Sequence, residues 1–208
     1  MVQEQIARRG IRDPALLRAI AAVPRERFVP VEARDRAWSD APVPIGGGQT
    51  ISQPFVVALM IDALRVGGRD RVLEVGAGSG YAAAVLGQLA ERVWALERHE
   101  FLALRARATL VALRYGNVRV IHADGSQGWP PAAPFDAILV SAGAQVVPPA
   151  LLDQLAPGGR LVIPVGPSGD RQVLWRIERT GADTYRRDDL GGVSFVPLLS
   201  GLPDTEEV

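Results

Sequence analysis

Apolar residues recur along this chain with two alternating periods. Short apolar, β-branched runs at 71–75, 92–96, 118–121, 135–140 and 160–165 predict strands. Between them, apolar residues spaced three and four apart at 79–90, 99–114 and 149–155 predict helices. This alternation predicts a mostly parallel sheet with helices on both faces. Ahead of it, 3–9 and 13–23 predict two short helices that form an N-terminal cap, the second with Asp13 as N-cap and Pro14 in its first turn. The segment 24–48 contains Pro24, Pro30, Pro42 and Pro44 and ends in Gly46-Gly47-Gly48, which predicts an irregular crossing with one helical turn near 32–36. A helix follows over 53–66, with Ser52 in the N-cap position and Pro54 just inside the start. Beyond the alternating region, 172–178 and 194–198 predict two edge strands joined by a polar segment, and the tail from Leu202 is expected to fray. The chain is therefore read as one domain, with a cap and substrate loop at 1–50, a core at 51–170, edge strands at 171–200 and a tail at 201–208.

Composition narrows the chemistry. Lys plus Arg and Asp plus Glu number 23 each, so no basic field draws the protein to nucleic acid or to an anionic membrane. No apolar run reaches the ~18 residues of a spanning helix and no secretory leader is evident, which predicts a cytoplasmic protein, expected to be a monomer. Cysteine is absent and only His99 and His122 are present. Disulfides, thiolate nucleophiles and cysteine-ligated zinc are excluded, a Ser-His-Asp triad is hard to build, and no metal is expected.

The most informative stretch is LEVGAGSGY, Leu73 to Tyr81: a buried strand, a glycine turn and a helix start. Glycine supplies positive φ and lets a ligand approach the backbone, and the free N–H groups of the helix start are expected to face that ligand. A dinucleotide fingerprint needs a third small residue at 81, where Tyr81 stands, so a pyrophosphate is disfavoured and an NAD oxidoreductase is the weakest reading. The G-x-G-x-G form after the acidic Glu74 resembles instead the first motif of class I S-adenosylmethionine-dependent methyltransferases. Glu97 ends the next strand, 21 residues after Gly76, where a carboxylate can accept hydrogen bonds from both hydroxyls of a ribose. Asp124 and Gly125 end the third strand, placed to accept an exocyclic amine and to let a ring lie on the backbone. The Asn/Asp-Pro-Pro-aromatic motif of base methyltransferases is missing at Ser141-Ala142-Gly143-Ala144, which argues further against nucleic acid.

QIARRGIRDPALLRAIAAVPRERFVP (5–30), WSDAPVPIGGGQTISQPFVVALM (38–60), LEVGAGSGY, HADGSQGWPPAAPFDAILVSAGA (122–144) and PALLDQLAPGGRLVIPVG (149–166) together resemble the protein-L-isoaspartate O-methyltransferases, in order and spacing. The resemblance implies a Rossmann-like class I methyltransferase with a seven-stranded, mostly parallel sheet. It implies S-adenosyl-L-methionine as methyl donor and the α-carboxylate of L-isoaspartyl residues in proteins and peptides as acceptor, the ester then re-forming a succinimide. Ser52 falls on the family's active-site serine, with Thr50, Ile51 and Gln53 beside it on the substrate side. Val193, Phe195 and Val196, near the C-terminus, fall on the segment expected to meet the peptide. Glu74, Gly76, Ala77, Gly78, Ser79, Glu97, Arg98, Asp124 and Gly125 fall on the cofactor side. Two positions depart from the family: Ser194 stands where a basic residue is usual, and Gly143 interrupts a run of alanines. A carboxylate methyltransferase of a dedicated peptide and a non-catalytic binder of the same cofactor therefore remain as alternatives.

A carboxylate nucleophile with an unperturbed pKa of ~3.9 is ionised at neutral pH, so no general base is required. Positioning and exclusion of water then carry the reaction, which suits so histidine-poor a chain.

Overall fold

The computed structural model describes residues 1–167 and 171–203. The expected tail from Asp204 onward and the 170/171 boundary of the core thus lie outside the described residues or at their edge.

The N-terminal cap opens with a π-helical turn, Val2–Ile6, that tightens into a 3-10 turn, Ala7–Arg9, followed by helix α1, Pro14–Ala22. Asp13 caps α1 as expected, its carboxylate accepting from Ala15 N at 2.8 Å, and Leu16, Ala19 and Ile20 turn into the core. The proline-rich segment forms two 3-10 helices, Arg25–Phe28 and Val31–Arg36, and then a β-hairpin of β1, Val43–Gly46, and β2, Gln49–Ile51. The hairpin was not expected, because its prolines and glycine triplet read as a break. It is held by burial of Val43, Ile45 and Ile51, and by Arg105 donating to Ile45 O at 3.0 Å.

Helix α2, Pro54–Leu64, starts one residue later than its N-cap assignment implied. A residue before proline is driven out of the helical region, so Gln53 (φ −48°, ψ 136°) is the N-cap and Ser52 lies outside the helix. The capping role expected of the Ser52 side chain is therefore corrected. No side-chain hydrogen bond caps α2.

The main sheet has the order β5-β4-β3-β6-β7-β8-β9. Its strands are β3, Arg71–Val75; β4, Arg92–Glu97; β5, Val118–His122; β6, Phe135–Val140; β7, Leu155–Val165; β8, Gln172–Arg179; and β9, Tyr185–Val193. β5 to β7 run parallel, and β8 and β9 close the sheet antiparallel. Because β3, β4 and β6 are covered on both faces, they read as largely apolar runs. Helices α3, Tyr81–Gly87, α4, Glu100–Ala112, and α5, Pro149–Asp153, complete the layers. α3 begins after Ser79, the expected start, because Gly80 sits at φ 86° and cannot be helical.

The last strand corrects an expectation. The edge strand is Tyr185–Val193, not 194–198. Its outward residues are charged because it is the exposed edge, and Arg176 on β8 clasps Asp188 at 2.8 Å across it, so it read as a polar link. Phe195–Leu198 instead crosses the ends of the strands. Gly143 N donates to Val196 O and Leu198 N donates to Gly143 O, both at 2.7 Å.

The chain order turns away from β3 on both sides, toward β4 and β5 and then toward β6 and β7. Such a reversal opens a crevice at the carboxyl ends of β3 and β6, where ligands of open α/β sheets bind.

Candidate functional site

At that crevice lies a cleft of about 670 Å3, bounded by the glycine turn, the ends of β4 and β6, the hairpin and the crossing segment 196–199. Thr50, Gly76, Gly78, Glu97, Arg98, Gly125 and Val196 all line it. A smaller cavity of about 350 Å3 shares Thr50, Gly76 and Gly78 with the cleft and adds Ile51, Ser52, Glu74, Ala77 and Ser79. Most of the residues singled out in the sequence thus converge on one region. Gln53, Asp124, Val193 and Phe195 do not line either space. Gln53 caps α2, Asp124 stands at the rim beside Gly125, and Val193 and Phe195 pack partly buried against the core.

The glycine turn is closed on itself. Gly76 N and Ala77 N both donate to Leu96 O at 2.9 Å, Gly78 N donates to Glu97 Oε2 at 2.7 Å, and Gly80 N donates to Ala77 O at 2.8 Å. The turn spends these four donors on β4 and on itself. A phosphate cradle needs such N–H groups pointing outward, so this turn suits a ligand without a pyrophosphate.

Glu97 is 5 % exposed and holds two backbone donors, Gly78 N on Oε2 and His99 N on Oε1 at 2.9 Å. Each carboxylate oxygen has a second lone pair, so a pair of ribose hydroxyls can be accepted as well. Asp124 is anchored by Ser126 N at 2.9 Å and by Gly201 N at 2.8 Å. Burial alone would push its carboxyl up, but the hydrogen bonds from Gly201 and Ser126 and the nearby Arg98 charge prevail and hold it below the usual range. Gly125 is required sterically, because a Cβ there would come within 2.4 Å of Val75 Cγ1.

Glu74 is 1 % exposed and its Oε2 has no hydrogen-bond partner. Burial, and then the charge of Glu97, push its carboxyl well above the ordinary value. A buried, uncompensated acid beside this cleft suits a cationic ligand, which would draw the proton off. The unpartnered oxygen of Glu74, the paired acceptors of Glu97 and the bare backbone at Gly125 together fit a sulfonium nucleoside carrying an amino group. Among the described residues, no group of His, Cys, Asp and Glu could hold a metal ion.

Several lining residues escaped the sequence reading. Gln49 arrives on the unforeseen hairpin, Ser141 ends β6, and Pro197 to Leu199 arrive with the crossing segment. Ser141 was legible in principle, since it ends a central parallel strand as Glu97 does. The departure at Gly143 has a local cause: a Cβ there would lie 2.7 Å from Nε2 of the buried Gln172, whose amide pairs with Phe195 N at 2.8 Å and Phe195 O at 3.2 Å. Ser194 is exposed, and two residues upstream the guanidinium of Arg171 lies over Gly192.

The sequence profile of the protein-L-isoaspartate(D-aspartate) O-methyltransferase family matches residues 1–202. The chain belongs to that family. It is 56% identical over 199 residues to protein-L-isoaspartate O-methyltransferase 1 of Rhodopseudomonas palustris, covering 96% of this chain and 81% of the relative. It is 58% identical over 202 residues to the Methylorubrum populi protein-L-isoaspartate O-methyltransferase, covering 97% and 94%. In structure it is similar to the Plasmodium falciparum protein described as a beta-aspartate methyltransferase (PCMT), solved in complex with S-adenosyl-L-homocysteine. That likeness has a TM-score of 0.82 at 29% identity, over 96% of this chain and 97% of the other. The family's Rossmann-like fold, with its seven-stranded, mostly parallel sheet, is the one described above.

Proposed function

We propose that this protein transfers a methyl group from S-adenosyl-L-methionine to the free α-carboxylate of L-isoaspartyl residues in damaged proteins and peptides. The observation that carries the reading is that the TISQP loop opens onto the same cavity as the glycine turn, so acceptor and donor walls face one another across Thr50, Ser52, Gly76 and Gly78. S-Adenosyl-L-methionine supplies an electrophilic methyl on a sulfonium. Glu97 holds the ribose hydroxyls, Gly125 and Asp124 receive the adenine, and Glu74 with Ala77 and Ser79 receives the methionine end. Arg98 closes the rim. On the acceptor side the Ser52 hydroxyl donates to the substrate carboxylate and aims it, with Thr50, Ile51 and Gln53 shaping the loop. The segment 193–196 meets the peptide, Val193, Phe195 and Val196 being the residues involved.

An α-carboxylate with a pKa of ~3.3–3.7 needs no base at neutral pH. The chain's part is to align the acceptor and exclude water, and such alignment alone can supply ~7–11 kcal/mol of the barrier. No helix among the described residues is long and apolar enough to cross a membrane. Balanced charge and the lack of cysteine support a cytoplasmic protein that takes no nucleic acid, and we read it as a monomer.

The test offers labelled S-adenosyl-L-methionine with paired peptides that differ only in Asp or isoAsp, to wild type and to Ser52→Ala. Labelling of the isoAsp peptide alone, and a loss in the variant of roughly 100-fold, is expected. Equal labelling of both peptides, or of neither, would overturn the reading.

A further inference from the structure

Arg25 is 0 % exposed, which is rare for a guanidinium, and among the described residues no carboxylate forms an ion pair with it. Its Nε donates to Ala37 O at 2.6 Å and its Nη2 donates to Ser52 O at 2.7 Å. Its guanidinium carbon lies 4.6 Å from the centroid of the Tyr81 ring, and Phe28, on the same 3-10 turn, meets that ring edge-on at 5.8 Å. Three stretches far apart in sequence therefore join at one side chain: the proline-rich segment, the loop bearing Ser52, and the first residue of α3 after the glycine turn.

A buried charge is costly, and an apolar side chain of similar volume is often as stabilising or more so. Its presence calls for a role other than stability. Ser52 supplies one. Since its side chain does not cap α2, the reach of its hydroxyl depends on where the backbone places its Cβ, and the carbonyl of that backbone is what Arg25 holds. The other end of the guanidinium rests on Tyr81, which lines the same small cavity as Ser52. Only a planar fork reaches two carbonyls and stacks on a ring at once, which a lysine ammonium cannot do.

We propose that Arg25 is a positioning residue for methyl transfer, setting the peptide plane that carries Ser52 at a fixed distance from the donor turn at Tyr81. This rests on the methyltransfer reading given above and adds a residue to it. Arg25 touches neither donor nor acceptor; it acts through the Ser52 carbonyl.

The test compares Arg25→Lys and Arg25→Met with wild type in thermal melting, in S-adenosyl-L-homocysteine affinity by calorimetry, and in kcat and KM with an isoAsp peptide. A shift of about 1 Å in an aligned group costs roughly 100-fold in rate, so kcat should fall about 10- to 100-fold in both variants while product affinity stays within about threefold. Lysine keeps the charge and loses the fork, so it should resemble methionine rather than arginine. Millimolar guanidinium, but not methylammonium, should raise kcat of Arg25→Ala. A folded variant that keeps wild-type kcat overturns the proposal. So does a parallel loss of kcat and product affinity, or failure of both variants to fold, because Arg25 would then serve the fold as a whole. An inert wild type would instead sink the isoaspartyl reading, since the positioning claim concerns only ratios to an active wild type.

Discussion

Replacing Glu97 with glutamine tests the cofactor side most sharply, because the substitution keeps the shape and reverses one end of the hydrogen bonding. Two backbone donors face this side chain, Gly78 N at 2.7 Å and His99 N at 2.9 Å, one on each oxygen. A glutamine amide offers one carbonyl and one NH2, so whichever way it turns an NH2 confronts an N–H. One charge-assisted bond of ~1.5–3 kcal/mol is lost and a buried donor is left unpaired. The same NH2 also faces a ribose hydroxyl where an acceptor stood. Part of the loss falls on the ligand-free protein, and the share felt on binding is about 3 kcal/mol, or roughly 100-fold in Kd. There is an opposing effect. Glu97 is the second cause of the raised Glu74 carboxyl, and removing its charge lets Glu74 ionise more easily and favours a cationic ligand. The product S-adenosyl-L-homocysteine lacks the sulfonium, so the contrast between donor and product affinity separates the two effects. Calorimetry with both ligands should show a weaker Kd for each, with the product hit harder. An affinity for the product within twofold of wild type would refute the assignment of Glu97 to the ligand.

Glu74→Gln addresses the buried acid directly. A carboxyl raised above its unfolded value of about 4.5 contributes stability that is present at pH below that value and is lost as pH rises through the folded value. Urea melts from pH 4 to 8 should therefore show wild type losing more stability than Glu74→Gln as pH rises above about 4.5; parallel profiles would contradict the burial argument. The methyl-transfer rate at saturation should be flat from about pH 6 to 8, because the acceptor carboxylate is already ionised. His99 lines the cleft and His122 is engaged by its ring nitrogen with Arg98 O at 3.0 Å. A sigmoidal rise near pH 6.5 that vanishes in either histidine variant would mean that a base takes part.

The parts of the chain that were legible are those where one interaction dominates. Strands such as Val93–Leu96 and Ala137–Val140 are buried on both faces, so their sequences are apolar whatever surrounds them. Asp13 and Pro14 likewise fix a helix start locally. What escaped depends on partners distant in sequence. The hairpin at 43–51 exists because Phe101 and Arg105 on α4 receive it, Phe101 lying against Gly46 and Gly47. The edge strand at 185–193 is polar because, among the described residues, no strand pairs with its outer side, and its pairing with β8 could not be read from its own residues. At the site, the glycines and the acids ending strands were visible by spacing, whereas the hydrogen bonds of Gly76, Ala77 and Gly78 to Leu96 and Glu97 depend on the neighbouring strand β4. Ser52 shows the limit most plainly. A serine two residues before a proline reads as a cap, and only the exclusion of Gln53 from the helix moves it into the cavity.

Asp124 and Gly125 form the only Asp–Gly bond in the chain, which also has a single asparagine, Asn117. Asp–Gly is the dipeptide in which the following nitrogen reaches the side-chain carboxyl with least obstruction, since glycine has no Cβ beside it. A more durable pair is closed off by packing, because any larger residue at 125 would run into Val75. The protein thus keeps in its own cleft the linkage most prone to age into an isoaspartate. What slows that clock is the hold of Ser126 N and Gly201 N on the two carboxylate oxygens, together with an ionised state that makes a poor electrophile. The shelf life of the catalyst is in this sense set by two backbone N–H groups, those of Ser126 and Gly201.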